Sequence, residues 1–156
     1  MGAGHVGRAL AAALKLLPVR SVLVDTRAEE LAMAPEGIET VLTPLPEEVV
    51  RRAEPGAAFV VLTHDHALDF LIAHEALDRG DAAYVGMIGS RTKRVSFRRW
   101  LREVGEVDTS ELVCPIGAAG RPDKRPEVIA AFVAAEILQR FAAQGEPVVA
   151  RRAHAN

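Results

Sequence analysis

The first residues of the chain, MGAGHVG, place three glycines at the spacing G-x-G-x-x-G. At this spacing Gly2 permits a tight turn, Gly4 lets a phosphate approach the backbone, and Gly7 lets a helix pack close to a sheet. The first N–H groups of that helix then point at the anion. The loop from Gly2 to Gly7, including His5, is therefore a candidate phosphate site.

Asp25 lies 18 residues after Gly7, at the end of the apolar segment SVLVD. An acid at this position of a dinucleotide-binding fold reads a ribose 2′-hydroxyl. The pattern favours a functional anion site, and a dinucleotide is one candidate ligand. The alternative is that the glycines serve only the turn and the helix packing.

A second loop, LTHDHALD, follows the most apolar segment of the chain. It places His64, Asp65 and His66 at the carboxyl end of a predicted strand, where ligands bind in open α/β sheets. Two histidines separated by one residue could indicate a metal, but no cysteine or third histidine lies nearby, so no metal site is predicted. Thr63 or Asp65 is expected to cap the following helix, and the histidines are candidate donors to a ligand.

A third loop, VGMIGSRTKR, leads from a predicted strand into a basic helix. Gly89 permits close backbone approach, Ser90 is a natural N-cap, and Arg91 and Lys93 place positive charge beside the helix N-terminus, which suits a phosphate or carboxylate. The alternative is a solvated basic face, which is the interpretation favoured for Arg98, Arg99 and Arg102. The double substitution of Arg91 and Lys93 by alanine is expected to weaken anion binding and to leave the fold stable.

Cys114 is the single cysteine, so the chain forms no internal disulfide, which fits a reducing cytoplasm. No histidine or other base adjoins Cys114 in the sequence, and a packing role is favoured over covalent chemistry.

The remaining sequence alternates apolar strand-like and helix-like segments, which predicts an α/β fold with a Rossmann-like, doubly wound and mainly parallel sheet. Strands are predicted at residues 21–25 and 57–63, in AAYVGMIGS, and over a few residues of GIETVLT. Helices are predicted at residues 5–17 and 66–80, and two more are predicted to begin at Pro46 and Arg91. The last helix is predicted over the segment RPEVIAAFVAAEILQRFAAQG. Residues 106–124 are predicted to be less regular.

The strand that should precede the glycine loop is lacking, because only Met1 stands before it. That strand is central in the Rossmann order, so its loss leaves a gap of two strand spacings, each about 4.8 Å, with backbone groups lacking partners. Either sequence is missing upstream, which we favour, or EPVVARR at residues 146–152 fills the gap from its own chain or a partner's. The predicted organisation is one domain over residues 1–145 and a tail over residues 146–156.

Composition excludes several classes of function. Hydrophobic residues make up 49% of the chain, yet no apolar run reaches the ~20 residues that span a membrane. The 19 basic and 21 acidic residues nearly balance, and the aromatic residues are not interleaved with the bases, as stacking on single-stranded nucleic acid requires. A cytoplasmic protein without membrane or nucleic-acid partners is predicted.

Together these loops resemble one family. GAGHVGRAL, VLVDTR, FVVLTHDHALDFLI, RGDAAYVGMIGSRTKRVSF and CPIGAAGRPDKRPEVIAAFVAAEIL are similar to the C-terminal Rossmann domain of the XdhC/CoxI proteins. These are accessory factors of xanthine dehydrogenase and related molybdenum hydroxylases. The resemblance runs from Gly2 to about Leu138, and THDHALD combined with YVGMIGSRTKR and CPIG is far more specific than the glycine spacing.

The resemblance implies a chaperone without turnover of its own that binds molybdenum cofactor. Such a protein protects the cofactor while its terminal sulfur is installed and delivers it to the apo-hydroxylase. The implied partners are the hydroxylase subunit, a cysteine desulfurase and a second copy of the chain. An NAD(P)-dependent oxidoreductase and a nucleotide-sensing Rossmann module are the alternatives, although 156 residues leave an oxidoreductase little room for a substrate domain.

By the same match, the family's ligand-side loops comprise Gly2, Gly4, His5, Gly7, His64, Asp65, His66, Gly89, Ser90, Arg91 and Lys93. The sequence departs from the family in two respects. The N-terminal domain that usually precedes the glycine loop is absent from it, and Ala118 and Ala119 stand where relatives often carry bulkier residues.

Overall fold

A computed structural model of the chain describes residues 1–117 and 123–145. The predicted tail, with its candidate gap-filling segment 146–152, and Ala118 and Ala119 lie outside the described residues. The helices are α1 (His5–Lys15), α2 (Ala28–Leu31), α3 (Pro46–Arg52), α4 (His66–Asp78), α5 (Arg91–Val104) and α6 (Pro126–Ala143). The strands are β1 (Val22–Asp25), β2 (Glu39–Leu42), β3 (Ala58–Val61), β4 (Tyr84–Met87) and β5 (Leu112–Val113).

All pairings between these strands are parallel, which confirms the predicted fold class. β1 pairs with β2, with Val22 opposite Glu39, and β3, β4 and β5 form a second sheet in that order. The strands and helices predicted from the sequence are present with shifted ends. The segment 106–124, which is expected from the sequence to be less regular, contains β5, whose two residues are too few to show a readable alternation.

Helices cover both faces of the sheets because successive residues of each strand point to opposite faces. On one face, α1 and α6 pack over a core that includes Leu10, Tyr84 and Val133. On the other face, residues of α3, α4 and α5 enclose a core that includes Ile72 and Phe97. The described helices include none that is long and apolar enough to cross a membrane.

Met1 and Gly2 lie between the two sheets. The Met1 amino group donates to the Val60 carbonyl at 2.9 Å, and the Met1 carbonyl accepts from the Leu62 N–H at 2.8 Å. On the other side, the Gly2 N–H donates to the Val24 carbonyl at 2.7 Å. Met1 and Gly2 therefore bridge the ends of β1 and β3, and the described residues contain no further strand between the two sheets. This confirms the predicted gap within the described residues.

In a chain that starts at Met1, the position of the Met1 amino group predicts a pH-dependent stability. Burial lowers the pKa of this group from 8.0 to about 6, although Asp25 and Asp69 oppose the shift. Folding therefore disfavours the charged amine, which lowers the stability of the fold wherever the amine is protonated. This loss of stability is absent above pH 8, where the amine is neutral in both states, and complete below pH 6, where it is charged in both. Two pKa units correspond to about 2.7 kcal/mol.

The free energy of unfolding, measured in urea, is therefore expected to fall by about 2.7 kcal/mol when the pH is lowered from 9 to 5. The Met1-acetylated chain is the control, because its terminus carries no titrating amine. Equal pH slopes for both chains would contradict the assignment.

Candidate functional site

The loops singled out by the sequence meet at one edge of the sheets, because all the strands run parallel. Direct contacts connect each loop to the next. The Ala3 N–H donates to Asp25 at 2.6 Å after β1, and Leu62 after β3 hydrogen-bonds Met1 beside the glycine loop. Thr63 and Ile88 are joined through side chains of α4 and α5, and the Cys114 thiol lies 3.8 Å from the Ser90 carbonyl. We call this edge, formed by residues 2–5, 25–27, 62–66, 88–91 and 114–117, the carboxyl rim.

The three glycines of the first loop differ in what surrounds them. A Cβ on Gly2 would lie 2.4 Å from the Leu62 carbonyl oxygen, and Gly2 has a φ of +106°. A Cβ on Gly7 would lie 1.9 Å from the Gly2 carbonyl oxygen. A Cβ on Gly4 would meet no described atom within 4 Å. Close packing therefore explains why positions 2 and 7 are glycines, whereas Gly4 faces open space at the carboxyl rim.

The helix that begins at this opening differs from its neighbours in its capping. Gly4 is the N-cap of α1, and within the described residues no side chain caps this helix and no acid lies in its first turn. Asp65 caps α4 by accepting from Ala67 and Leu68, and Ser90 caps α5 by accepting from the Lys93 N–H. Unlike those of α4 and α5, the first-turn N–H groups of α1 therefore have no side-chain acceptor among the described residues and can be directed at an anion. The shorter helices α2 and α3 and the last helix α6 also lack a side-chain cap.

Asp25, the candidate ribose ligand, is buried and already bonded. Its carboxylate accepts from the Ala3 N–H at 2.6 Å and from the Arg27 N–H at 2.9 Å, and it pairs with the Arg27 guanidinium at 3.1 and 3.2 Å. Burial raises the pKa of Asp25, but the hydrogen bonds from Arg27 and Ala3 outweigh burial and hold the pKa below its usual range. Asp25 thus anchors the glycine loop to β1.

Arg8 holds the same loop from the other side. Its guanidinium donates to the Ala3 carbonyl and to the Glu30 carboxylate, both at 2.6 Å. The glycine loop is consequently fixed through both the N–H and the carbonyl of Ala3. Neither Arg8 nor Glu30 is singled out by sequence reasoning, because their partners are distant in sequence or belong to the backbone.

Lys93 is a buried residue of α5, although the sequence placed it among ligand-side bases. Its ammonium group donates to the Asp69 carboxylate and, at 2.9 Å, to the Ile88 carbonyl. Asp69 is fully buried in α4, and its other oxygen accepts from the N–H and the hydroxyl of Thr63 at 2.9 and 2.6 Å. This network joins the loops after β3 and β4.

The buried pair corrects one expectation. The substitution of Lys93 by alanine would leave the Asp69 carboxylate buried without its cation, so the fold is not expected to tolerate it as a surface change. Asp69 could have been found in the sequence, because it is an acid among apolar residues in the helix segment ALDFLI.

The remaining predicted residues of these two loops are exposed at the carboxyl rim, namely His64, Asp65, His66, Gly89, Ser90 and Arg91. Gly89 has a φ of +152°, and a Cβ there would lie 2.5 Å from Cδ of Lys93. His64, His66 and Arg91 can therefore reach a ligand at the rim, whereas Asp65 and Ser90 serve as helix caps. The described residues contain no group of three or more His, Cys, Asp or Glu that could hold a metal ion.

The loop after β5 is held by a residue that the sequence did not indicate. Glu136 of α6 accepts from the Tyr84 hydroxyl at 2.6 Å and from the Gly117 N–H at 2.9 Å. In the same loop Cys114 is buried, and burial raises the pKa of its thiol. The thiol therefore stays protonated near neutral pH, consistent with a packing residue.

Comparisons with known proteins agree with this architecture. A family model described as the XdhC Rossmann domain matches residues 1–137. A crystal structure from Bacillus halodurans, described as that of a xanthine dehydrogenase, has a TM-score of 0.75 and 23% sequence identity with this chain. The similarity covers 99% of this chain and 43% of the Bacillus halodurans chain, so this chain spans less than half the length of that protein. No curated protein matches the chain.

Proposed function

The chain belongs to the XdhC family, and on that premise we propose that it is a maturation factor of a xanthine dehydrogenase-type molybdenum hydroxylase. In this proposal it binds molybdenum cofactor at the carboxyl rim, shields it while the terminal sulfur is installed, and releases it to the apo-enzyme. The protein itself turns over no substrate. The partners are the hydroxylase subunit and a cysteine desulfurase, in the cytoplasm, and the chain acts as a homodimer.

The observation that carries the proposal is the open space at Gly4 beside the uncapped N-terminus of α1. Molybdopterin ends in a phosphate, and in some forms in a nucleotide. The N–H groups at the start of α1 would hold that phosphate, because a helix N-terminus offers unpaired donors and the positive end of the helix dipole. No side chain is needed for this contact, which fits a glycine at position 4.

The other residues of the carboxyl rim take separate roles in this proposal. His5, His64, His66 and Arg91 are exposed donors that would contact the polar pterin end. Lys93 and Asp69 position the loops that carry them. The cofactor brings the molybdenum chemistry, and the chain supplies binding and exclusion of water.

Cys114 does not suit a sulfur carrier, because its thiol is buried and its pKa is raised by that burial. Sulfur would come from the desulfurase.

The rival is a nicotinamide nucleotide, bound either for redox chemistry or as a signal. The bonds of Asp25 to Ala3 and Arg27 weigh against NAD(H), since a ribose hydroxyl would have to displace one of them. Arg27 beside this acid favours NADP(H) within the rival class, because an arginine at this place can receive the 2′-phosphate.

Calorimetric titrations of the chain with molybdopterin, with NAD(H) and with NADP(H), each performed separately, distinguish these functions. We expect molybdopterin to bind and to remain bound through gel filtration. Tight binding of a nicotinamide nucleotide without retention of molybdopterin would count against the maturation factor.

Gly4→Ala is expected to weaken molybdopterin binding without harming the fold. The Gly4 backbone, with φ −68° and ψ −170°, suits any L-residue, and the added Cβ meets no described atom. Crowding that costs one charge-assisted hydrogen bond corresponds to a loss of about 10–100-fold in affinity. Calorimetric titration measures the affinity, and Ala12→Ser on the exposed side of α1 is the control. Unchanged affinity in Gly4→Ala would show that the phosphate does not bind at this opening.

A further inference from the structure

The arginines of α5 differ from the other described arginines in their ionic contacts. Every described arginine outside α5 pairs with a carboxylate at 2.6–3.1 Å. Within the part of the chain that the structure describes, none of the five arginines of α5 forms such a pair, and Lys93 is the base of this helix that does. The five are Arg91, Arg94, Arg98, Arg99 and Arg102. The positive charge of α5 is therefore not neutralised by the described fold.

Four of these arginines lie on one face of the helix. Arg91, Arg94, Arg98 and Arg102 follow one another at spacings of three, four and four residues, which align side chains along a helix. We call this set the arginine face. Arg94 is half-buried and the other three are exposed. Because Arg91 also belongs to the carboxyl rim, the arginine face extends from the rim along α5.

This arrangement lowers the stability of the fold on its own. Like charges three or four residues apart repel each other on a helix, and Arg91 adds a positive charge at the helix N-terminus, where the helix dipole disfavours it. The nearest acids in the sequence, Glu103 and Glu106, form no ion pair with these arginines. The Nε atom of Arg94 is buried and has no hydrogen-bond partner among the described residues. Carboxylates from a partner would offset both effects, because a guanidinium binds a carboxylate through two parallel hydrogen bonds.

Nucleic acid and a lipid surface fit the arginine face less well than a protein does. Stacking on bases needs aromatic side chains among the basic ones, but Phe97 and Trp100 of α5 pack on Phe70 of α4. Insertion into a lipid surface needs an exposed apolar side of the helix. The exposed apolar residues of α5, Val95 and Val104, are nine residues apart and therefore point to opposite sides of the helix.

We propose that the arginine face is the docking surface for a carboxylate-rich protein surface, which belongs to the apo-hydroxylase that receives the cofactor. The identity of this partner rests on the proposed function, whereas its acidic character rests on the arginines. A protein seated on the arginine face reaches the carboxyl rim, because Arg91 belongs to both. A ligand bound at the rim would therefore pass to the docked protein without crossing open solvent.

Biolayer interferometry of the full chain with the apo-hydroxylase of the same organism tests this docking. Arg98→Glu with Arg102→Glu reverses two exposed charges of the arginine face outside the carboxyl rim. Arg20→Glu with Arg52→Glu is the matched control, because it changes the net charge equally at two side chains that are also exposed. We expect the first variant to bind the hydroxylase ~100-fold more weakly, chiefly through slower association, and the control to change affinity by less than ~3-fold. The difference between the variants should shrink at high salt.

Molybdopterin retention, measured on the same variants, lets the docking surface and the proposed function fail separately. Retention by all forms, together with equal hydroxylase affinities of the two variants, would overturn the docking surface alone. Arginine-dependent docking without retention would support the docking surface and contradict the proposed function.

The other occupants are tested with a single-stranded oligonucleotide, with phosphatidylserine vesicles and by sedimentation of the chain alone. Binding of either probe, or a dimer of the chain, that is lost in Arg98→Glu with Arg102→Glu while hydroxylase binding persists would assign the arginine face to that occupant. Each of these results would overturn the proposal.

Discussion

Lys93→Ala is expected to lower the free energy of unfolding by about 3–5 kcal/mol, the usual cost of removing one partner of a buried ion pair. The variant leaves the Asp69 carboxylate in the core, with Thr63 as its remaining described partner. It also removes the donor to the Ile88 carbonyl and thus one connection between the loops after β3 and β4. The effect follows from desolvation, because an isolated charge cannot regain water inside the fold.

Urea unfolding at pH 7 measures this loss. Arg91→Ala is the matched control, because Arg91 is an exposed base of the same helix turn and its removal should change stability by no more than about 0.5 kcal/mol. The double variant Lys93→Met with Asp69→Asn should recover much of the loss, since it removes both charges and keeps an acceptor for Thr63. A Lys93→Ala variant as stable as Arg91→Ala would mean that Lys93 is solvated in solution.

The position of the site follows from the sequence, because parallel strands bring their carboxyl ends to one edge. The caps at Asp65 and Ser90 are also local features, since each side chain bonds N–H groups within three residues of itself. The gap was predictable for a similar reason, because a glycine loop of this kind requires a strand before it.

The contacts between distant residues could not be predicted. Lys93 lies in a run of bases that suggests a solvated face, and its partner Asp69 is 24 residues away. Spacing placed Asp25 correctly at the end of a strand, but its bonds to Ala3 and Arg27 depend on how closely the glycine loop approaches β1. Sequence patterns indicate which face a side chain occupies, whereas its partner is decided by the packing of separate elements.

Gly7→Ala is expected to have the second large effect, a loss of more than about 4 kcal/mol or of cooperative folding altogether. Inside a helix the change from glycine to alanine by itself favours folding by about 0.5–1 kcal/mol. Here the new Cβ would lie 1.9 Å from the Gly2 carbonyl oxygen, a backbone atom that cannot rotate aside. Relief requires moving either α1 or the glycine loop, which Ala3 and its bonds to Asp25 and Arg8 hold in place.

Gly4→Ala provides the matched comparison, because it adds the same methyl group to the same loop where no described atom lies within 4 Å. Circular dichroism and urea unfolding of the two variants should therefore separate a packing glycine from one that faces a ligand. Equal stabilities would mean that α1 does not pack against the Gly2 carbonyl. If Gly7→Ala unfolds while Gly4→Ala stays folded and loses only its affinity for molybdopterin, the two glycines divide the loop between architecture and binding, and the opening at Gly4 is the place where an anion enters.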